Sequence, residues 1–128
     1  LTLLRSVPVG RIVYTDQALP AIRPVTFVMD GDEAVVIRTA PGSKLDAALR
    51  DAIVAFEVDD LNSAAGTGWA VTVIGPALAV TSAPEIRRLE SLPLVPWLPG
   101  AHQEFLRISC ARLSGWRYAG RPVALAPQ

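Results

Sequence analysis

The chain has one cysteine and one histidine in 128 residues, and only one of its twelve basic residues is a lysine. Cys110 alone cannot close an intrachain disulfide, so a reducing setting, the cytoplasm, is expected. It sits in an apolar stretch with no local base to activate it and reads as inert core. His102 lies between small and polar residues and reads as a plain loop residue, and no metal site is expected. Net charge is zero and the arginines are scattered, so no basic patch draws the chain to nucleic acid or to anionic membrane. No apolar run is long enough to cross a bilayer, and none resembles a signal peptide. Internal repeats, low-complexity tracts and alternating βαβ units are absent, which excludes solenoids and a doubly wound sheet.

What the chain has in excess is apolar surface. Hydrophobic residues make up 51% and charged ones 19%. For one domain of this size that surplus suggests a buried subunit interface. Residues 1–128 read as a single domain, with 1–6 as the end of a helix and 121–128 as a loose tail.

Strand patterns dominate. Residues 11–15 are β-branched and aromatic, and 16–20 read as a loop. Residues 23–29 form a second strand, with Pro24 near its start or at an edge. Asp30-Gly31-Asp32 is a hairpin turn, and 33–39 return. Ser43 reads as the N-cap of a helix over 44–51, with Asp46 as capping-box partner and Leu45 and Leu49 facing inward. Residues 53–58 are a strand and 59–68 a polar loop, in which Asp59-Asp60 is a solvated turn rather than an acid–base pair or a metal site. Residues 69–80 make a long strand whose Gly75-Pro76 marks a bend, as barrel corners need. Pro84 opens a second helix with an Ile86, Leu89, Leu92 stripe, and Arg87-Arg88 is its exposed face. Residues 105–110 and 116–118 are the last strands, with a turn at Ser114-Gly115. About six strands and two or three short helices predict a mainly β fold, a small antiparallel barrel.

Lys44 carries the first chemical signal. It follows Arg38, Thr39 and Ser43 closely and falls at a helix start, where free backbone N–H groups favour anions. The residue types suit a phosphate cradle or, equally, a solvated loop before a capped helix. It is not a Walker motif, because Ile37 stands where the first glycine would be.

Four segments, taken in order, resemble the pyridoxamine 5'-phosphate oxidase-like, flavin-binding split-barrel family. They are Pro8-Val9-Gly10-Arg11-Ile12-Val13, Arg23-Pro24-Val25-Thr26-Phe27-Val28, Val36-Ile37-Arg38-Thr39 with Gly42-Ser43-Lys44-Leu45, and Trp69-Ala70-Val71-Thr72-Val73-Ile74-Gly75. The likeness covers roughly residues 5–118 and is nearest to short actinobacterial-type members and the nitroimidazole-reductase branch. It implies a split β-barrel that binds FMN, with 8-hydroxy-5-deazaflavin coenzyme as the alternative. It implies a homodimer with the cofactor at the interface and a small planar substrate. Arg23, Pro24, Val25 and Thr26 would lie along the ring, and Ile37, Arg38, Thr39, Ser43 and Lys44 around the phosphate. Trp69 and Ala70 would reach the flavin across the interface, with Trp116 and Arg117 approaching it from the C-terminal side. Val25, Phe27 and Trp69 would line the substrate cleft. A non-catalytic flavin carrier fits the same residues, and no catalytic side chain is assigned. Arg112-Leu113-Ser114 stands where true pyridoxamine phosphate oxidases carry Arg-Leu-His, and Thr39 stands where the nitroimidazole reductases carry histidine. Both departures argue against those two activities. Haem would need an axial ligand, and His102 is the sole histidine.

Overall fold

The computed structural model describes residues 9–91 and 104–119. Expectations for 1–6, 121–128, His102, Leu92 and the loop at 93–100 lie outside the described residues.

β1 (Val9–Asp16) and β2 (Leu19–Thr26) form a hairpin where the sequence suggests a loop. Gln17 and Ala18 make its two-residue turn, with φ of 51° and 65°. Both central residues are left-handed, the geometry that matches strand twist, but the usual Asn-Gly signal is missing. The chain breaks at buried Phe27, so the expected second strand becomes β2 and a short β3 (Val28–Asp30). β4 (Ala34–Thr39) follows a tight turn at Gly31, where φ is 57°. Helix α1 (Lys44–Leu49) is shorter than the sequence suggests, ending before Asp51 at φ 61°.

β5 (Ile53–Asn62) and β6 (Thr67–Ala79) pair along ten rungs. Asp59 and Asp60 therefore lie within a ladder, not in a solvated turn, because the turn is confined to residues 63–66. Helix α2 (Ala83–Glu90) has proline in its first turn. β7 (Glu104–Ser109) and β8 (Leu113–Ala119) bring the strands among the described residues to eight, with Ser114-Gly115 inside β8 and the turn moved to residues 110–112. Cys110 is half-buried in that turn and packs against the core.

The sheet runs β2-β1-β5-β6-β7-β4-β3, with β8 also on β6. β6 holds β5 and β8 through residues 67–73, and beyond Gly75-Pro76 its residues 77–79 pair with β7. The bend thus carries one strand from a five-stranded sheet into a second sheet of β6, β7, β4 and β3, which is how a barrel turns its corner. Ile12, Val35, Ile37, Phe56, Val58, Val73, Leu106 and Ile108 fill the space between them. Phe27 meets Phe56 edge-on at 4.8 Å between ring centroids. A smaller cluster of Val36, Leu89 and Phe105 lies on the other face of the second sheet, under α2.

A carboxylate–guanidinium network fastens α2 down. Arg88 donates to Asp30 at 2.6 Å and to Glu85 at 2.6 Å, and Arg107 on β7 also bonds Asp30. The Arg88 hydrogen bond, joined by Arg107, holds the Asp30 carboxyl below its ordinary value despite partial burial.

Candidate functional site

Strand alternation decides where the cradle residues go. On β4, Val35, Ile37 and Thr39 are buried on the barrel side. Val36 and Arg38 alternate to the opposite side, with Phe105 and α2. Arg38 and Thr39 are neighbours in sequence but leave the strand in opposite directions.

Arg38 stacks on Phe105, its guanidinium carbon 5.0 Å from the ring centroid. Its Nε is buried and, among the described residues, has no hydrogen-bond partner. A buried guanidinium N–H without an acceptor costs free energy that an added anion would recover.

Thr39 is already engaged. Its hydroxyl donates to Asp46 Oδ1 at 2.7 Å, and both residues are buried. A hydroxyl has one proton, so Thr39 in this geometry can offer an incoming phosphate only lone pairs. Asp46 also accepts from Arg50 at 3.2 Å, and Arg50 in turn pairs with Glu104. The expected capping box is half made. Ser43 Oγ accepts from the Asp46 N–H at 3.0 Å, while the Asp46 carboxylate turns to Thr39 and Arg50. Ser43 keeps its own hydroxyl proton to donate. Lys44 is exposed, and among the described residues no acid pairs with it. Of the residues expected around a phosphate, Arg38 Nε, the Ser43 hydroxyl and Lys44 keep a donor without a partner among the described residues, and Ile37 lies in the core.

The residues expected along a flavin ring lie on β2, at the edge of the described sheet. Arg23 and Pro24 are exposed, Thr26 is half-buried and Val25 is buried. Val25 and Phe27 belong to the core of the single chain. Trp69 is half-buried against the edge of that core. Ala70 lies opposite Trp116, whose indole N–H donates to the Tyr118 hydroxyl at 3.3 Å. At the β6 bend, Ile53, Ile74, Pro76, Ser109 and Arg112 line an apolar cleft of about 350 Å³.

One cluster escaped sequence reading. Glu57 and Asp59 point from β5 to the outer face of the five-stranded sheet, where Arg11 Nη1 lies 3.5 Å from one and 3.1 Å from the other. Burial first, then the adjoining Asp59 carboxyl, push Glu57 up to about 7 against the pull of Arg11. The signal was the spacing of two, which puts both acids on one strand face.

Among the described residues, an antiparallel split barrel of eight strands with two short helices defines the structural class. The family model described as pyridoxamine 5'-phosphate oxidase matches residues 1–117, and the chain belongs to that family. Uncharacterized protein Rv0080 of Mycobacterium tuberculosis is 39% identical over 123 residues, covering 91% of this chain and 79% of the relative. The solved FAD binding protein from Mycobacterium smegmatis superposes with a TM-score of 0.81 at 34% identity, covering 91% of this chain and 90% of that one. A conserved protein of unknown function from Corynebacterium diphtheriae gives 0.74 at 35% identity, with 91% and 89% covered.

Proposed function

We propose that this chain is a flavin-binding protein that works as a homodimer and exchanges hydride or electrons with a small planar substrate. The observation that carries the reading is the buried, unpartnered Nε of Arg38 on the strand that leads to Ser43 and Lys44. Arg38, the Ser43 hydroxyl and Lys44 would hold the flavin phosphate, and this donor set suits a dianion. Among the described strands β2 lies at the sheet edge, and outward backbone groups of residues 19–25 would serve the ring edge, apart from the missing N–H groups of Pro20 and Pro24. A bound flavin would supply the redox chemistry, and the protein would bind and orient it. No acid–base side chain is placed at the ring.

FMN is the first reading, since a single phosphate accounts for the donors. FAD is the second, favoured by the 34% identical M. smegmatis protein described as FAD binding. The test is an absorbance spectrum and mass analysis of the purified protein, then titration with FMN, FAD and a deazaflavin coenzyme. A flavin spectrum with about one cofactor per subunit supports the reading. A chain that takes up none of the three removes it.

A further inference from the structure

The outer face of the five-stranded sheet carries the inference, which rests on the homodimer reading above. Three rungs cross it. In the first, Ile22, Val13, Ala55 and Ile74 are successive cross-strand partners. Ile22 is 64% exposed and Ile74 40%, and Ile53, 67% exposed, adjoins them on β5. In the second rung Pro24, Arg11, Glu57, Thr72 and Ser114 follow one another, and in the third Asp59, Ala70 and Trp116. An apolar strip thus borders a charged triad of Arg11, Glu57 and Asp59.

The size fits a second copy. Five strands at about 4.8 Å spacing span about 19 Å, and ten paired residues run about 33 Å. That is on the order of 600 Å², near the roughly 800 Å² that each partner buries in a standard interface. The face is also self-complementary in charge, because a two-fold axis would bring Arg11 of one copy within reach of the acids of the other.

The triad has one cation for two acids. Glu57 Oε1 is buried without a hydrogen-bond partner, and the two carboxyls are close enough to share a hydrogen bond once one is protonated. Glu57 faces Arg11 from β1 and Asp59 from its own strand. Pro24, Thr72 and Ser114 face it from β2, β6 and β8, and none is charged. Stacking two such faces would bury two uncompensated negative charges unless protons are taken up.

We propose that this face closes against a second copy of the chain, and that closure takes up one proton per subunit, shared between Glu57 and Asp59. The dimer is then weaker in alkaline solution and tighter in mildly acidic solution.

The experiment is sedimentation equilibrium of the intact protein at pH 6.0 and 8.5. Wild type, Glu57→Gln, Asp59→Asn and the face variant Ile22→Asp/Ile74→Asp are compared. The expected result is a dimer Kd about tenfold or more higher at the upper pH. Glu57→Gln flattens that dependence, and the face variant is monomeric with an unchanged far-ultraviolet spectrum. A wild-type Kd that ignores pH, or a dependence that survives in both carboxyl variants, overturns the proton linkage and leaves the dimer intact. A face variant that still dimerises overturns the choice of face. A wild type that is monomeric at both pH values removes the homodimer reading itself.

Discussion

Thr39 Oγ1 donates a 2.7 Å hydrogen bond to Asp46 Oδ1, locking strand β4 to helix α1 inside the protein. With only six residues, α1 depends on such tertiary contacts to hold its place. Asp46→Ala strips partners from Thr39 and Arg50 and is expected to cost about 2 kcal/mol. Asp46→Asn keeps an acceptor for Thr39 and should lose about half of that. Urea unfolding of the two variants measures the difference.

The same bond separates Thr39 from the proposed phosphate donors. Thr39→Val should leave the flavin Kd within about twofold, because its proton already serves Asp46, whereas Lys44→Ala should weaken it about tenfold or more. Lys44 is exposed, so its loss should change stability by less than about 0.5 kcal/mol. Fluorescence titration alongside thermal melting separates the two effects.

Asp30 sets an acid limit. Arg88 and Arg107 lower its folded pKa from 3.8, so its contribution is fully present above that value and is lost as pH falls through the lower, folded one. Wild-type stability should therefore drop steeply below about pH 4. Asp30→Asn should flatten that limb while lowering stability near neutrality, as followed by urea midpoints from pH 2.5 to 7.

Gly10 lies against the face of the barrel filled by Phe56, and a Cβ there would overlap that ring. Gly10→Ala should destabilise by about 1–3 kcal/mol. Gly10→Ala with Phe56→Leu should recover part of the loss, a coupling that a double-mutant cycle reads directly.

Sequence patterning made much of this fold legible because the barrel obeys local rules. Gly75-Pro76 marked the corner, Asp30-Gly31-Asp32 the hairpin, and Ser43 the helix cap. The Gln17-Ala18 turn stayed hidden, since two left-handed residues without glycine or asparagine are set by the strands they join. Asp59-Asp60 looked like a solvated turn because polarity alone cannot report that a strand is held by its neighbours. At the candidate site, residue types and the family resemblance pointed to Ile37, Arg38, Thr39, Ser43 and Lys44 together. They could not reveal that Thr39 faces the other way or that Asp46 holds it, because both facts depend on packing between β4 and α1.

β7 closes the barrel, yet it comes late in the chain. Among the described strands, β7 is the only link between the β3–β4 hairpin and β6, so those halves share no ladder until it arrives. The first six strands leave the exit tunnel before it and must wait with β4 and β6 edges open. A chain that stops short of β7 therefore has two half-sheets with no ladder between them, and open strand edges of that kind invite mispairing.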